Sequence, residues 1–165
     1  MPRGNSSTVS IVDYSEKYGD AFARLNMAWL EKYFVVEPID REVLSNPLSC
    51  IIEPGGAVLY ACIDGQAVGT VALKRSGDAV FELTKMAVTE RCQGLGIGRM
   101  LLSAAVGRFE EMQGKRLYLE SNSALAPALA LYESAGFRHE ARPTSSDYVR
   151  SDVYMVYRPK QAGSD

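Results

Sequence analysis

The stretch Val88-Thr-Glu-Arg-Cys-Gln-Gly-Leu-Gly-Ile-Gly-Arg99 constrains this chain more than any other. It leaves an apolar strand, Ala79 to Val88, and opens a helix over about Gly96 to Met112, with glycines alternating at 94, 96 and 98. Each glycine in a helical start costs about 1 kcal/mol against alanine, so three of them call for a reason. Glycine lets the backbone turn tightly and brings its N–H groups close to a ligand. The first helical turn has unpaired donors and a partial positive charge, which suit an anion at about 0.3–1 kcal/mol per charge contact. Arg91 and Arg99 bracket the loop with cationic donors. The plainer reading is a glycine-rich turn that merely starts a helix.

Two other phosphate motifs fail on spacing. A nucleotide P-loop ends in Gly-Lys-Ser/Thr, whereas Gly98 is followed by Arg99-Met100. A dinucleotide fingerprint starts directly after its strand and needs a third glycine where Arg99 stands. Only Glu120, at the end of the next strand where a ribose-binding acid would lie, speaks for it.

A local anion cradle matters because the chain has no global one. With 18 basic and 20 acidic residues the net charge is −2, so nothing draws it to nucleic acid. Its 165 residues suit a single domain, 1–165, with polar tails at 1–8 and 160–165 that are expected to fray. Cys50, Cys62 and Cys92 are too few and irregular for a disulfide framework, and with one histidine, His139, there is no metal-ligand spacing. The apolar run Ala57 to Ile63 is far below the roughly 18 residues of a membrane span. The polar N-terminus lacks a signal-type apolar region, so a reduced, cytoplasmic setting is expected.

Periodicity gives a strand at Val9 to Val12 and a helix over about Tyr18 to Phe34, ended by Glu37-Pro38. Tyr14, Tyr18, Phe22 and Leu25 read as a helically spaced core stripe. A short helix follows near Asp40 to Leu44. Strands Ala57 to Ile63, Ala67 to Leu73 and Ala79 to Val88 form a meander through turns at Asp64-Gly65 and Ser76-Gly77-Asp78. After the glycine loop and its helix, which Gly114 is placed to end, come strand Arg116 to Glu120 and a helix over about Leu125 to Ala135. Strands near Phe137 to Ala141 and Asp152 to Tyr157 complete a mixed α+β layer architecture.

The chain resembles the GCN5-related N-acetyltransferases, a family that moves acetyl from acetyl-CoA to an amine. The family signature Gln/Arg-x-x-Gly-x-Gly/Ala is matched by Arg91-Cys92-Gln93-Gly94-Leu95-Gly96. A second family segment, a strand, an asparagine and a helix ending in aromatic-x-x-x-Gly-Phe, is matched by Leu117 to Asn122 and by Tyr132 to Phe137. The likeness is good over Ala57 to Phe137 and rests on element order at both ends. It implies a splayed mixed sheet of six to seven strands flanked by about four helices. It also implies acetyl-CoA as donor, an amine acceptor, no metal and no membrane or nucleic-acid partner. Dimers are frequent in the family, which leaves a homodimer open, but the residues themselves do not set the oligomeric state.

By position, the resemblance implies that backbone N–H groups of Gln93, Gly94, Leu95, Gly96, Ile97, Gly98 and Arg99 hold the pyrophosphate, with Arg91 at its side. Strand backbone at Met86, Ala87 and Val88 would pair with the pantetheine arm, and Asn122 would face it where the central strands part. A proline common in the family two residues after the strand's last valine is Glu90 here.

Acetylating an amine requires a neutral nucleophile and a proton for the departing thiolate. An amine of pKa about 10.4 is neutral about one part in a thousand near pH 7.4, a barrier of about 4 kcal/mol. Tyr132 shares a helix face with Leu125, Ala128 and Ala135. Spacing alone fits a core tyrosine, while the resemblance implies a thiol-protonating one. Glu82, six residues before Val88, is the candidate base, and alternation places it with Thr84, Met86 and Val88. It fits a solvated strand residue equally well, and as a base it needs burial to raise its pKa. Glu120 is a lesser candidate, and Cys92 a bystander. The segments Trp29 to Asn46 and Ala141 to Ser151 correspond to the family's acceptor site and carry Trp29, Tyr33, Glu37, Asp147 and Tyr148. A non-catalytic acyl-CoA-binding module is the alternative, and it would need neither Tyr132 nor Glu82.

Overall fold

The computed structural model describes residues 8–159, so the two tails, apart from Thr8, lie outside the described residues. Seven strands form one sheet, in the order β1-β2-β3-β4-β5-β7-β6. They are β1 (Ser10–Asp13), β2 (Ala57–Ile63), β3 (Gln66–Gly77), β4 (Val80–Val88), β5 (Arg116–Ser121), β6 (Phe137–His139) and β7 (Val153–Tyr157). The helices are α1 (Ala21–Tyr33), α2 (Pro38–Ser45), α3 (Ile97–Glu111) and α4 (Ala126–Ser134). The mixed α+β sheet and its flanking helices match the expected architecture.

The meander forms as its turns require. Asp64 and Gly65 both have positive φ, 51° and 78°, the two-residue hairpin geometry that matches strand twist. β3 runs on to Gly77 rather than stopping at Leu73, because Lys74 and Arg75 stay in the ladder opposite Glu82 and Phe81. Backbone pairing there outlasts the apolar pattern that marks a strand in sequence.

Helix boundaries move for local reasons. α1 starts after a 3₁₀ turn, Glu16–Tyr18, capped by the Ser15 hydroxyl, which accepts from the Lys17 N–H. Tyr14 and Tyr18 thus precede the helix, yet still pack on the same core as Phe22 and Leu25. Pro38 opens α2 two residues earlier than expected, in the first-turn position where its missing N–H has no intrahelical role. The π-helical turn Leu48–Ile52 gave no sequence signal. Past α3 the left-handed residue is Gln113, at φ 56°, and not Gly114. Gly114 is small for another reason, since a Cβ there would lie 2.2 Å from the Phe109 ring.

Two cores sandwich the sheet. α3 covers one face through Ile97, Leu101, Leu102, Ala105 and Phe109. α1 and α2 cover the other through Phe22, Leu25, Leu30, Val43 and Leu44. α4 is apolar but has no fully buried residue.

A bulge in β4 decides which side chain meets which core. Ala72 pairs with Thr84 and Thr70 with Ala87, so Val71 opposes both Lys85 and Met86. Lys85 takes up the extra residue in a left-handed conformation, φ 55°. A bulge reverses the alternation beyond it. Glu82, Thr84 and Ala87 therefore share the α1/α2 face, while Met86 and Val88 pack with the α3 core. The expectation that Met86 and Val88 share Glu82's face fails at this point.

The parallel contact of β4 with β5 is short. It pairs Val80, Phe81 and Glu82 with Arg116, Leu117 and Tyr118, and beyond Glu82 the two strands part. β5 continues by pairing with β7 instead.

Candidate active site

The gap between β4 and β5 opens into a cavity of about 480 Å³. Its walls include Glu82 to Val88 of β4, the glycine loop, Glu120 to Asn122, and α4 residues Ala128, Leu131 and Tyr132. This explains the apolar α4 without a buried residue, because part of its apolar surface faces the cavity.

At one end the loop presents backbone donors. Gly94 and Gly96 have φ of 86° and 80°, conformations that favour glycine, and Gly96 is the residue preceding α3. The Gln93 N–H is taken by the Glu90 carbonyl at 3.2 Å, and that of Met100 by Gly96 at 3.1 Å. Between them, Gly94 to Arg99 have no backbone acceptor among the described residues. The available run is thus one residue shorter than expected, and Gln93 meets the cavity through its side chain, whose amide donates to the Val88 carbonyl at 3.3 Å. Two side chains of this stretch lie elsewhere. Arg91 lines a separate surface depression beside Lys17 and Arg24, and Leu95 is 64% exposed and outside the cavity wall. Both follow from the turn that aims the backbone of this loop, not those side chains, at the cavity. Arg99 does line it, with one guanidinium nitrogen 3.3 Å from the Ser134 hydroxyl.

Met86, Ala87 and Val88 border the cavity. Asn122 does too, but its amide is engaged internally. It donates to the Arg150 carbonyl at 2.7 Å and accepts from the Ala124 N–H at 2.8 Å. Asn122 therefore ties the turn before α4 to the loop ahead of β7.

The two titratable candidates face the same space in different settings. Tyr132 packs edge-on to Phe137 at 6.2 Å, and burial pushes its phenol up to about 12. Its hydroxyl has no hydrogen-bond partner among the described residues. Glu82 is 9% exposed, and burial first, then the Glu120 charge, pushes its carboxyl up to about 7. The condition for Glu82 to act as a base near neutral pH is met.

The other end of the cavity holds a charge cluster that sequence reading missed. Asp40 is fully buried at 0% exposure. The Lys85 ammonium donates to it at 2.6 Å, and Arg150 donates twice, at 2.7 Å each. Burial alone would raise the Asp40 carboxyl, but Arg150 and Lys85 outweigh it and hold it at about 2. Arg150 also reaches Glu37 at 3.0 Å, and Tyr148 lies against both cations, 4.5 Å from Lys85 and 4.7 Å from Arg150. The network joins α2, the β4 bulge and the loop before β7. Of the acceptor-side residues expected from sequence, Trp29 and Tyr148 line this cavity. Glu37 holds Arg150 from outside it, Tyr33 is largely exposed, and Asp147 lines a neighbouring cavity. Lys85 reads as an ordinary strand lysine in sequence, since only the bulge turns it inward.

A sheet that splays beside a glycine-led helix start is the architecture of solved acetyltransferases. A GNAT-family acetyltransferase from Staphylococcus aureus superposes with a TM-score of 0.81 at 20% identity, covering 90% of this chain and 98% of that one. A structure from Salmonella typhimurium, described as a putative acetyltransferase with its cofactor acetyl-CoA, gives 0.71 at 21% identity, covering 96% and 99%. The acetyltransferase (GNAT) family model matches residues 20–137, and the chain belongs to that family. Among its relatives is the uncharacterized N-acetyltransferase YjgM of Escherichia coli, 36% identical over 90 residues, which span 53% of this chain and 54% of that protein. An uncharacterized N-acetyltransferase of Schizosaccharomyces pombe is 26% identical over 160 residues, 94% of this chain and 96% of the relative.

Removing one partner of a buried ion pair typically costs about 3–5 kcal/mol, because it strands the other charges. Asp40→Ala should therefore lower unfolding stability by about that much in urea titrations. A loss below about 1 kcal/mol would show that the cluster does not hold these three segments together.

Proposed function

We propose that this chain, as a single domain, transfers an acetyl group from acetyl-CoA directly to an amine. Glu82 takes the proton from the acceptor ammonium, and Tyr132 serves the departing sulfur. The observation that carries this reading is the place of Glu82. A buried carboxyl pushed up to about 7 stands where β4 and β5 part, in the same cavity as Gly94, Gly96, Ile97, Gly98 and Arg99, whose backbone N–H groups have no acceptor among the described residues. The acetyl-CoA in the Salmonella typhimurium structure supports the same reading.

The residues present fit such a donor. The Gly94 to Arg99 N–H groups and Arg99 suit a pyrophosphate, and the parted edge of β4 can pair with an amide-containing arm as an added strand would. The apolar face of α4 would cover that arm. The bulge turns the Lys85 side chain toward Asp40, leaving Ala87 on the acceptor side with Glu82.

The proton balance closes with these groups. Ionised Glu82 accepts one proton from the ammonium, and the neutral nitrogen attacks the carbonyl carbon. The carbon–sulfur bond then breaks with its electron pair on sulfur. Tyr132 hydrogen-bonds to that sulfur and passes it a proton, replaced by the second one lost from nitrogen. A phenol at about 12 keeps its proton at neutral pH, so it acts chiefly as a hydrogen-bond donor to developing charge. A binding module without catalysis has no use for a base held near 7.

Three outcomes test this. Gly96→Glu should abolish CoA binding in calorimetry, because Gly96 sits at φ 80° beside the anion site and the new carboxylate would repel phosphate. Undiminished affinity in that variant would dismiss the cradle.

Tyr132→Phe should lower kcat tenfold or more, about 1.4 kcal/mol, with little change in KM for acetyl-CoA. An unchanged kcat with chemistry rate-limiting would return Tyr132 to a packing role.

For Glu82, the active carboxylate appears only above its raised pKa, so kcat/KM should climb with pH through about 7. Glu82→Gln should lose that limb and recover part of the rate at high pH, where the amine is neutral unaided. A mutant profile superimposable on wild type would remove Glu82 as the base.

A further inference from the structure

Behind Glu82 lies a second, smaller cavity of about 220 Å³, roofed by the loop from Arg142 to Tyr148. Glu82, Glu120 and Tyr148 line both spaces and form their common wall. This cavity carries three cations, Lys74, Arg116 and Arg142, and its acids are Glu82, Glu120 and Asp147.

None of the three cations has a carboxylate at hydrogen-bonding distance. Lys74 stands directly across the β3–β4 ladder from Glu82, whose carboxyl its charge holds lower, and its ammonium makes no hydrogen bond or contact ion pair among the described residues. Arg116 donates to the Tyr154 hydroxyl at 2.7 Å and lies over that ring at 5.9 Å, so its partner is neutral. Arg142 donates to the Ser151 hydroxyl at 2.7 Å and forms a looser ion pair with Glu120 at 3.6 Å, beyond hydrogen-bonding distance. Asp147, also in the lining, is exposed to solvent and makes no contact ion pair among the described residues. The contrast with Asp40 is informative, because there every cation is matched by a close oxygen. Cationic donors in a concave, partly desolvated space that hydrogen-bond to hydroxyls and to no carboxylate keep donor capacity for an anion from outside.

We infer that the acceptor is a small amine that also bears a carboxylate. Its nitrogen meets Glu82 at the common wall, and its carboxylate lies in the second cavity among Lys74, Arg116 and Arg142. The inference rests on the acetyltransferase reading and names the substrate class of that site. Lys74 faces Glu82 across adjacent strands, so nitrogen and carboxylate are separated by a few bonds, as in an amino acid. The two point charges also fix which end of the acceptor faces the acetyl group, an orientation a purely apolar pocket cannot supply.

The test is CoA release with matched acceptors, amino acids and their carboxamides, together with calorimetric binding of the same acids to the CoA complex. A carboxamide's amine is less basic and more often neutral, so a preference for the acid reports the carboxylate itself. Each acid should show kcat/KM at least tenfold above its amide. Lys74→Met and Arg116→Met should each raise KM for the acid tenfold or more and leave KM for acetyl-CoA in place. Arg116→Met should also leave turnover of the amide in place, whereas Lys74→Met should move its pH limb upward, because the Lys74 charge holds the Glu82 carboxyl lower. Equal use of acid and amide, or a preference that survives both substitutions, overturns the inference while the acetyltransferase reading stands. If CoA binds and no amine is acetylated, the acetyltransferase reading falls, and calorimetry still decides the cavity. An acid that binds wild type but not Lys74→Met then supports the anion site, and no binding to wild type overturns it.

Discussion

The Asp40 carboxylate, buried and clasped by Lys85 and Arg150, is the interaction on which the site's geometry depends. It reaches Lys85 only because β4 spends an extra residue in a left-handed conformation, and it reaches Arg150 only because the loop before β7 folds back over α2. An isolated buried carboxylate would be expelled or neutralised, whereas three charge-assisted hydrogen bonds and one from the Glu37 N–H keep it ionised. The cluster therefore binds α2, the β4 bulge and the loop before β7 into one wall. Such pairs seldom add stability over apolar packing, so their value here is the specific arrangement they impose.

A second constraint acts on the sheet itself. β4 and β5 are parallel and pair over only three residues, after which β5 pairs with β7 and β4 stands apart. Unpaired strand edges usually invite unwanted association, and a cleft roofed by α4 turns that liability into a protected place for an extended ligand. Glu82 sits at the last pair before the opening. It is dry enough to be pushed up to about 7, yet it borders both cavities. The neighbouring Asp40 is held at about 2 by direct hydrogen bonds from two cations. Two buried carboxylates are thus pushed in opposite directions, because Asp40 accepts hydrogen bonds from two cations while Glu82 accepts none from a cation among the described residues. That division suits Asp40 to a structural role and Glu82 to the proton transfer proposed for it.

Much of this was readable in the residues. Alternating glycines at 94, 96 and 98 announced a strand-to-helix turn with free donors, and Asp64-Gly65 announced its hairpin. The strands carry apolar runs, and the helices end near their prolines and glycines, because backbone conformation and local burial act within a few residues. Tyr132 and Glu82 were identifiable as residue types at set distances from those landmarks, and both border the cavity. What the chain alone determined is therefore the order of elements, their approximate extents and the donor-rich loop.

Only the tertiary structure decided which side chains meet. A single bulged residue moved Met86 and Val88 to the opposite face from Glu82 and turned Lys85 inward, and no local pattern marks where a ladder will slip. The Asn122 amide was engaged by Arg150, 28 residues away, and Asp40 by Arg150, 110 residues away. The Arg91 and Leu95 side chains turn away from the cavity because a loop's direction depends on the sheet it leaves and the helix it enters. Titration was equally out of reach, since the pKa of Glu82 comes from desolvation and from Glu120 on another strand. Propensity and periodicity are short-range, while burial and charge pairing join residues that the sequence keeps far apart.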